Sequence, residues 1–160
     1  MIDLTFEEFY SSKINNLTLN QALELHYKLN PQFTPWNKYD SELLRLTMKS
    51  HDICHVVSGN NTGLKGEFFV ELWTLFSNNL TIKKYKEIVG SSEINKEPFE
   101  IVKKLGYLKV FRVMLFNSWY IPILWLRTKQ MKKKWSTLDY ETYMNQTISE
   151  IRSEYNIIVK

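Results

Sequence analysis

The sequence predicts an all-α fold: a single domain built as a bundle of about seven helices with an apolar cleft between helices. Three observations predict it. Helix-opening signals recur, Thr5 with Glu8 and Thr18 with Gln21 among them, each a hydroxyl followed three residues later by an acid or amide. Apolar residues from Leu64 to Phe76 repeat at helical spacing. Only five Gly and four Pro occur in 160 residues, which argues against a loop-rich β fold. The length suits one domain, able to bury a core without staples, and 44% hydrophobic and 14% aromatic content is too rich for disorder. Within this one domain, 1–160, residues 1–38 supply N-terminal helices and a Pro-containing connection. Residues 40–80 supply a helix pair, and 98–160 an apolar central helix and a C-terminal helix.

The chain opens Met1-Ile2-Asp3-Leu4-Thr5-Phe6-Glu7-Glu8, acidic and without a basic start or an apolar run. That does not read as a secretory or mitochondrial presequence, and the expected source is a bacterial cytoplasmic protein or an already matured chain. Thr5 opens a short helix; Thr18 opens a second that stops at Asn30-Pro31. His26 lies in this second helix and is expected as a surface or packing residue, not a ligand. Asn30 to Lys38, with Pro31 and Pro35, reads as an extended connection anchored by Phe33 and Trp36.

Asp40 or Ser41 caps the next helix, with Leu43, Leu44 and Met48 on its buried side. His51 and His55 sit four residues apart in it and project from one face. Asp52 lies about 100° round the same turn and can flank the same spot. The Gly- and Asn-rich loop from Gly59 to Gly66 lets the chain reverse, so that Glu67 arrives near the start of a helix over 64–76. Phe68, Leu72, Leu75 and Phe76 are expected to point inward from it. Two imidazoles and two carboxylates form a mixed nitrogen and oxygen set for a divalent metal, zinc first, with His51, Asp52, His55 and Glu67 as candidate ligands. The plainer alternative is a capped helix pair whose histidines hydrogen-bond to neighbours. Asp52 and Glu71, one turn after Glu67, are the candidates for catalytic work. A zinc-protease-like base at Asp52 is disfavoured, because Asp is one carbon shorter than the Glu of such sites. Cys54 is the only cysteine, which rules out an intrachain disulfide and fits a reducing compartment. It lies away from the two imidazoles and reads as a small buried residue.

Thr81 caps a short helix that Gly90 ends, Ser91 to Glu97 is a polar connection, and Pro98 suits a first helical turn. The stretch 105–126 is apolar nearly all round, interrupted by Lys109, Arg112, Asn117 and Pro122. A spanning helix needs about 20 residues with almost no charge, so the stretch is not transmembrane. It is expected as a long central helix, broken near Pro122 and buried in the bundle core. Surplus apolar side chains there, Phe111, Met114 and Leu115 with Phe68 and Leu72, would line a cleft for an isoprenoid tail. Arg127, Lys129, Lys132, Lys133 and Lys134 follow, beside Trp135. Such a cluster suits an anionic lipid surface, or else is a solvated polar face. Nucleic acid is disfavoured, since the net charge is a modest +4 and no binding motif is present.

The pattern His51-Asp52-Ile53-Cys54-His55, eleven residues from Val56 to Gly66, then Glu67 resembles the signature of the coenzyme Q (ubiquinone) biosynthesis protein 4 family, Gly66 included. Asp139 to Met144 and Ile148 to Ile157 resemble that family's closing helix, with Asn156 where the family more often has Gly. Tyr39-Asp40-Ser41-Glu42-Leu43 resembles its entry to the His-bearing helix. Between Phe68 and Trp135 the similarity is one of texture. The resemblance implies a divalent metal and a peripheral place on the cytoplasmic face of the inner membrane. It also implies a prenylated quinone precursor or other polyisoprenoid as ligand, and oxidative decarboxylation of its ring. Other quinone-biosynthesis proteins and a homo-oligomer are the expected partners. Two alternatives stand beside it: a non-catalytic lipid-binding scaffold that organises such enzymes, and a metal-dependent hydrolase whose open coordination position faces water.

Overall fold

The computed structural model describes residues 9–79, 103, 106–136 and 139–159. The N-terminal segment with the Thr5 and Glu8 signal, the helix from Thr81 to Gly90, the connection Ser91 to Glu97, and Pro98 lie outside the described residues. Among the described residues the chain is all-α, and its only β features are isolated bridges, Thr18 with Thr147 and Asn78 with Trp135.

Helix α1, Leu19–Leu29, opens on a reciprocal capping box between Thr18 and Gln21, and buries Leu19, Ala22, Leu23 and His26. The connection that follows tightens into a 3-10 turn at Trp36–Lys38. Ser41, not Asp40, caps α2, Glu42–Ser58, by accepting from the Leu44 amide. Gly59 ends α2 at φ 72, where a Cβ would lie 2.8 Å from Val159 and 2.9 Å from the Tyr10 carbonyl. Helix α3 runs Leu64–Ser77 and α4 runs Tyr107–Asn117. A 3-10 turn, Ser118–Tyr120, leads directly into α5, Ile121–Lys129, with Pro122 in its first turn. The break expected near Pro122 is therefore this turn. Counting α4, the turn and α5 as one rod, five helical rods stand among the described residues where the sequence pointed to about seven. The last, α6, Ile148–Tyr155, opens on a second capping box, Thr147 with Glu150.

Helix α2 is the hub. It packs against α1, α3, the 36–38 turn and α6, while α3 packs against α5 and α4. Its burial starts at Lys49 and takes in Ile53, Cys54, His55, Val56 and Val57. Leu43, expected inside, is exposed, and Leu44 and Met48 are half-buried. In α3 the buried set is Gly66, Phe69, Val70, Trp73 and Ser77, with Leu75 exposed and Phe68, Leu72 and Phe76 half-buried. The inward face is thus rotated by about one residue from the expected one. Phe68 and Phe69 are both apolar, so spacing leaves the phase open; the neighbours of Gly66 and Glu67, described below, set it.

Arg152 joins the closing helix to the hub. Its guanidinium, buried at 6% exposure, donates to the Val56 and Val57 carbonyls at the end of α2 and to the Ser11 carbonyl and Asn15 side chain. It satisfies carbonyls that α2 leaves without intrahelical partners. Asn156 ends α6 in the left-handed region at φ 56, a conformation that favours Gly and, next to it, Asn.

Helix α4 departs most from expectation. It buries none of its residues. The buried central helix foreseen from 105–126 is replaced by one that packs on α3, keeps Val110 and Val113 half-buried and turns most of its apolar side chains outward. No helix among the described residues is long and apolar enough to cross a membrane.

Candidate metal centre

The helical repeat stacks His51 over His55 with ring centroids 4.7 Å apart. The return of α3 against them depends on Gly66. A Cβ there would fall 1.8 Å from the Asn61 carbonyl oxygen, so only glycine lets the loop lie across the first turn of α3. Glu67, the next residue, consequently enters between the imidazoles. Its Oε1 is 3.3 Å from His55 Nε2 and its Oε2 is 3.4 Å from His51 Nε2. One ligand atom from each of His51, His55 and Glu67 falls within 4.8 Å of the others. Glu71 Oε1 lies 3.5 Å from His51 Nε2 on the open side.

The protonation of His55 follows from its neighbours. Its Nδ1 lies 2.9 Å from the Asn60 carbonyl, an acceptor, so Nδ1 carries the proton and donates. In the neutral ring Nε2 is then a bare lone pair. This atom is buried, with no hydrogen-bond partner, and it faces a carboxylate oxygen. Two acceptors at that separation repel unless a proton or a metal cation lies between them. Donors about 2.1 Å from a tetrahedral ion stand roughly 3.4 Å apart, close to each imidazole-to-carboxylate separation, although the two imidazoles face different oxygens of Glu67. The residues present therefore fit a divalent ion held by two imidazole nitrogens and a carboxylate. Glu71 or a solvent molecule is available for a fourth position.

Charge is distributed accordingly. Burial alone would raise the Glu67 carboxyl, but the His51 and His55 contacts outweigh it and hold it down at about 2. Burial likewise works to lower His51, and the Asp52, Glu67 and Glu71 carboxylates overcome it, leaving its pKa well above the usual imidazole value.

The fourth candidate ligand, Asp52, takes a different place. Its Oδ2 accepts a hydrogen bond from the Tyr27 phenol, and its Oδ1 lies 3.6 Å from His51 Nδ1, the nitrogen facing away from Glu67. Asp52 is thus outside the three-residue cluster and positioned to orient the His51 ring. Its other neighbour is His26, whose Nε2 is 3.8 Å from Oδ1.

His26 is fully buried at the centre of this network, not on the surface, with its ring 5.9 Å from that of His55. The His26 Nδ1 is hydrogen-bonded to the Tyr10 hydroxyl at 3.0 Å, which also accepts from Asn30 Nδ2, and the His26 Nε2 is the nitrogen on the Asp52 side. Burial lowers its pKa to about 4, the opposing pull of Asp52 being smaller. Thr62 of the loop donates to Asn30 Oδ1 at 2.6 Å, tying the loop to the same chain of contacts. Tyr10, Tyr27, Asn30 and Asn60 went unread in the sequence. The one local signal was the repeated Asn around the loop, which marks a turn but not its hydrogen-bond partners.

The remaining site expectations meet mixed placements. Phe68 and Leu72 are half-buried, whereas Phe111, Met114 and Leu115 are exposed. The five do not line either of two cavities: one of about 210 Å³ beside Tyr27, Pro35 and Trp36, and one of about 30 Å³ between Trp73, Leu124 and Ile157. Of the basic cluster, Lys132 donates to the Ser153 carbonyl, Lys134 to the Phe76 carbonyl, and Lys133 pairs with Glu154. Arg127 and Lys129 lie over the Tyr120 and Trp125 rings. Lys132 and Lys134 thus complete helix C-termini, and Trp135 beside them is a fully buried core residue packed on Tyr155. Cys54 is buried as expected, and burial raises its thiol to about 11.

No family model matches the chain, and no curated protein or solved structure matches it.

Proposed function

We propose that the chain binds a divalent metal, zinc by its donor chemistry, through His51, His55 and Glu67, and acts with it on a prenylated ring acid. The observation that carries the metal is the convergence of one ligand atom from each of His51, His55 and Glu67 within 4.8 Å of one another, with the buried His55 Nε2 aimed at Glu67 and its other nitrogen fixed on the Asn60 carbonyl. The choice of substrate rests on the His-Asp-x-x-His-x11-Glu pattern, which resembles that of the ubiquinone-biosynthesis family. The reaction it implies, oxidative decarboxylation, breaks the bond from ring to carboxylate with loss of CO2 and forms a ring C–O bond. It needs a two-electron oxidant such as dioxygen as co-reactant, since zinc is redox-inert.

When bound, such an ion supplies Lewis acidity to a phenolate or carboxylate oxygen. The residues of this chain do the rest. Asp52 stands behind the His51 ring as a charge partner 3.6 Å from Nδ1, and the Asn60 carbonyl holds His55, which favours both Nε2 atoms facing Glu67. Glu71, more than half exposed, is placed at the open side to take a proton.

The partial exposure of His51, Glu67 and Glu71 favours a second reading, a metal-dependent hydrolase with a water-facing coordination position. A scaffold that merely holds the ring would keep ligand binding without turnover. The deciding measurement is metal content by native mass spectrometry, followed by assay on a carboxylated prenylphenol. One equivalent of metal, lost in His51→Ala and in His55→Ala, supports the centre; unchanged content in both variants overturns it. Turnover that disappears in Glu67→Ala, with folding intact, separates enzyme from scaffold.

A further inference from the structure

The cavity of about 210 Å³ beside Tyr27 has no part in the ligand set of the metal centre. One face of α1 gives it Leu23, Glu24 and Tyr27, and the connection that follows gives it Pro35 and Trp36. Leu23 is buried, Tyr27 and Trp36 are half-buried, and Glu24 is exposed. The Tyr27 hydroxyl is already engaged: it donates to Asp52 and accepts from the Trp36 amide at 3.4 Å. Its ring is what remains for a ligand, and a phenol bonded to a carboxylate carries an enriched π face. Glu24 accepts from Asn20 through Oε1 at 3.1 Å, and its Oε2 has no partner among the described residues. No basic side chain lines the cavity.

The protein itself shows what such a combination of groups holds. The Lys49 ammonium lies 4.3 Å from the Trp36 ring centroid and 4.9 Å from that of Tyr140, and Glu141 neutralises it at 2.7 Å. An indole, a phenol and a carboxylate thus cage one buried cation. The cavity presents a second set of the same composition, Trp36, Tyr27 and Glu24, and Lys49 is not among its walls. We propose that this cavity is a binding site for a small methylated ammonium ion, held against the Tyr27 and Trp36 rings with Glu24 as its counter-charge. Aromatic faces attract a cation through their quadrupole, most strongly once its water is removed. Methyl groups suit the Leu23 and Pro35 walls. A quaternary nitrogen has no N–H to leave unpaired there, whereas a primary ammonium carries three. An anion would meet a carboxylate of its own sign and no cation. The volume lies below the roughly 300–1,000 Å³ of drug-sized pockets, which limits the occupant to a few heavy atoms. This inference stands on the cavity alone and does not need the metal.

The test titrates the full chain, at constant ionic strength, with choline, with its neutral isostere in which carbon replaces the nitrogen, and with phosphocholine. Heteronuclear NMR reads the binding. Choline should give saturable shifts of the Trp36 indole and backbone, with a dissociation constant on the order of 1 mM. The neutral isostere should bind about tenfold more weakly. Glu24→Gln, at an exposed position, should lower choline affinity about threefold, and Trp36→Leu should remove the binding. Should Trp36→Leu fail to fold, Glu24→Gln and the isostere decide by themselves. Phosphocholine separates a free cation from a lipid headgroup: with no basic side chain in the walls to meet its phosphate, it should bind more weakly than choline. No saturable shift with choline, equal affinity for choline and its isostere, or wild-type affinity in Glu24→Gln overturns the inference. So do saturable shifts that leave Trp36 unmoved. Phosphocholine binding tighter than choline overturns the assignment to a free cation.

Discussion

The Tyr27 phenol donates a hydrogen bond to the Asp52 carboxylate, and this bond turns the first acid of the motif away from the Glu67 carboxylate and behind the His51 ring. Asp52 and Glu67 therefore have separable effects. Glu67→Gln should abolish stoichiometric zinc binding in calorimetric titration. Asp52→Asn and Tyr27→Phe should retain it, with affinity lowered about 10- to 100-fold through the loosened imidazole. Equal losses in Asp52→Asn and Glu67→Gln would make Asp52 a ligand after all.

Gly66 controls whether Glu67 reaches its place. Because a Cβ there would collide with the backbone of Asn61 as well as with its side chain, the loop or the helix has to move. Gly66→Ala should cost about 2 kcal/mol or more in urea unfolding and should weaken metal binding as well. Gly63→Ala, whose nearest contact is the Asn61 side chain at 3.3 Å, should cost much less.

Acid sensitivity should arise first at His26. Its folded pKa, about 4, lies below the ordinary 6.5, so the unfolded chain takes up a proton that the folded chain refuses. Stability is then complete above pH 6.5 and is lost as pH falls toward 4, by on the order of 3 kcal/mol across the interval. Glu67, depressed from 4.5 to about 2, adds to the loss only below about pH 4.5. Urea titrations of metal-free protein at pH 6.5 and 5 should show this slope, and His26→Gln should flatten it.

Arg152 should be intolerant of lysine. Its planar fork serves four oxygens at 2.8 to 3.2 Å, three of them backbone carbonyls, and an ammonium on a flexible stem does not reach them all. Arg152→Lys should lower stability by about 2 kcal/mol, and Arg152→Leu by more, because buried carbonyls are left without donors. Thermal unfolding followed by circular dichroism measures both.

What the sequence by itself determined is short in range: the capping box at Thr18, the Gly- and Asn-rich reversal that begins at Gly59, and two imidazoles one turn apart with a Gly-Glu pair returning eleven residues later. Each is settled by contacts within a few residues, and helical geometry converts such spacing directly into position. The tertiary structure alone decided the direction of Asp52, the burial of His26 beside His55, the rotation of α3 and the outward face of α4. Those outcomes depend on partners far away in the chain, Tyr27 for Asp52 and Tyr10 for His26, or on which side of an apolar helix finds a neighbour. An apolar stretch states that it prefers to leave water; it does not state what will cover it.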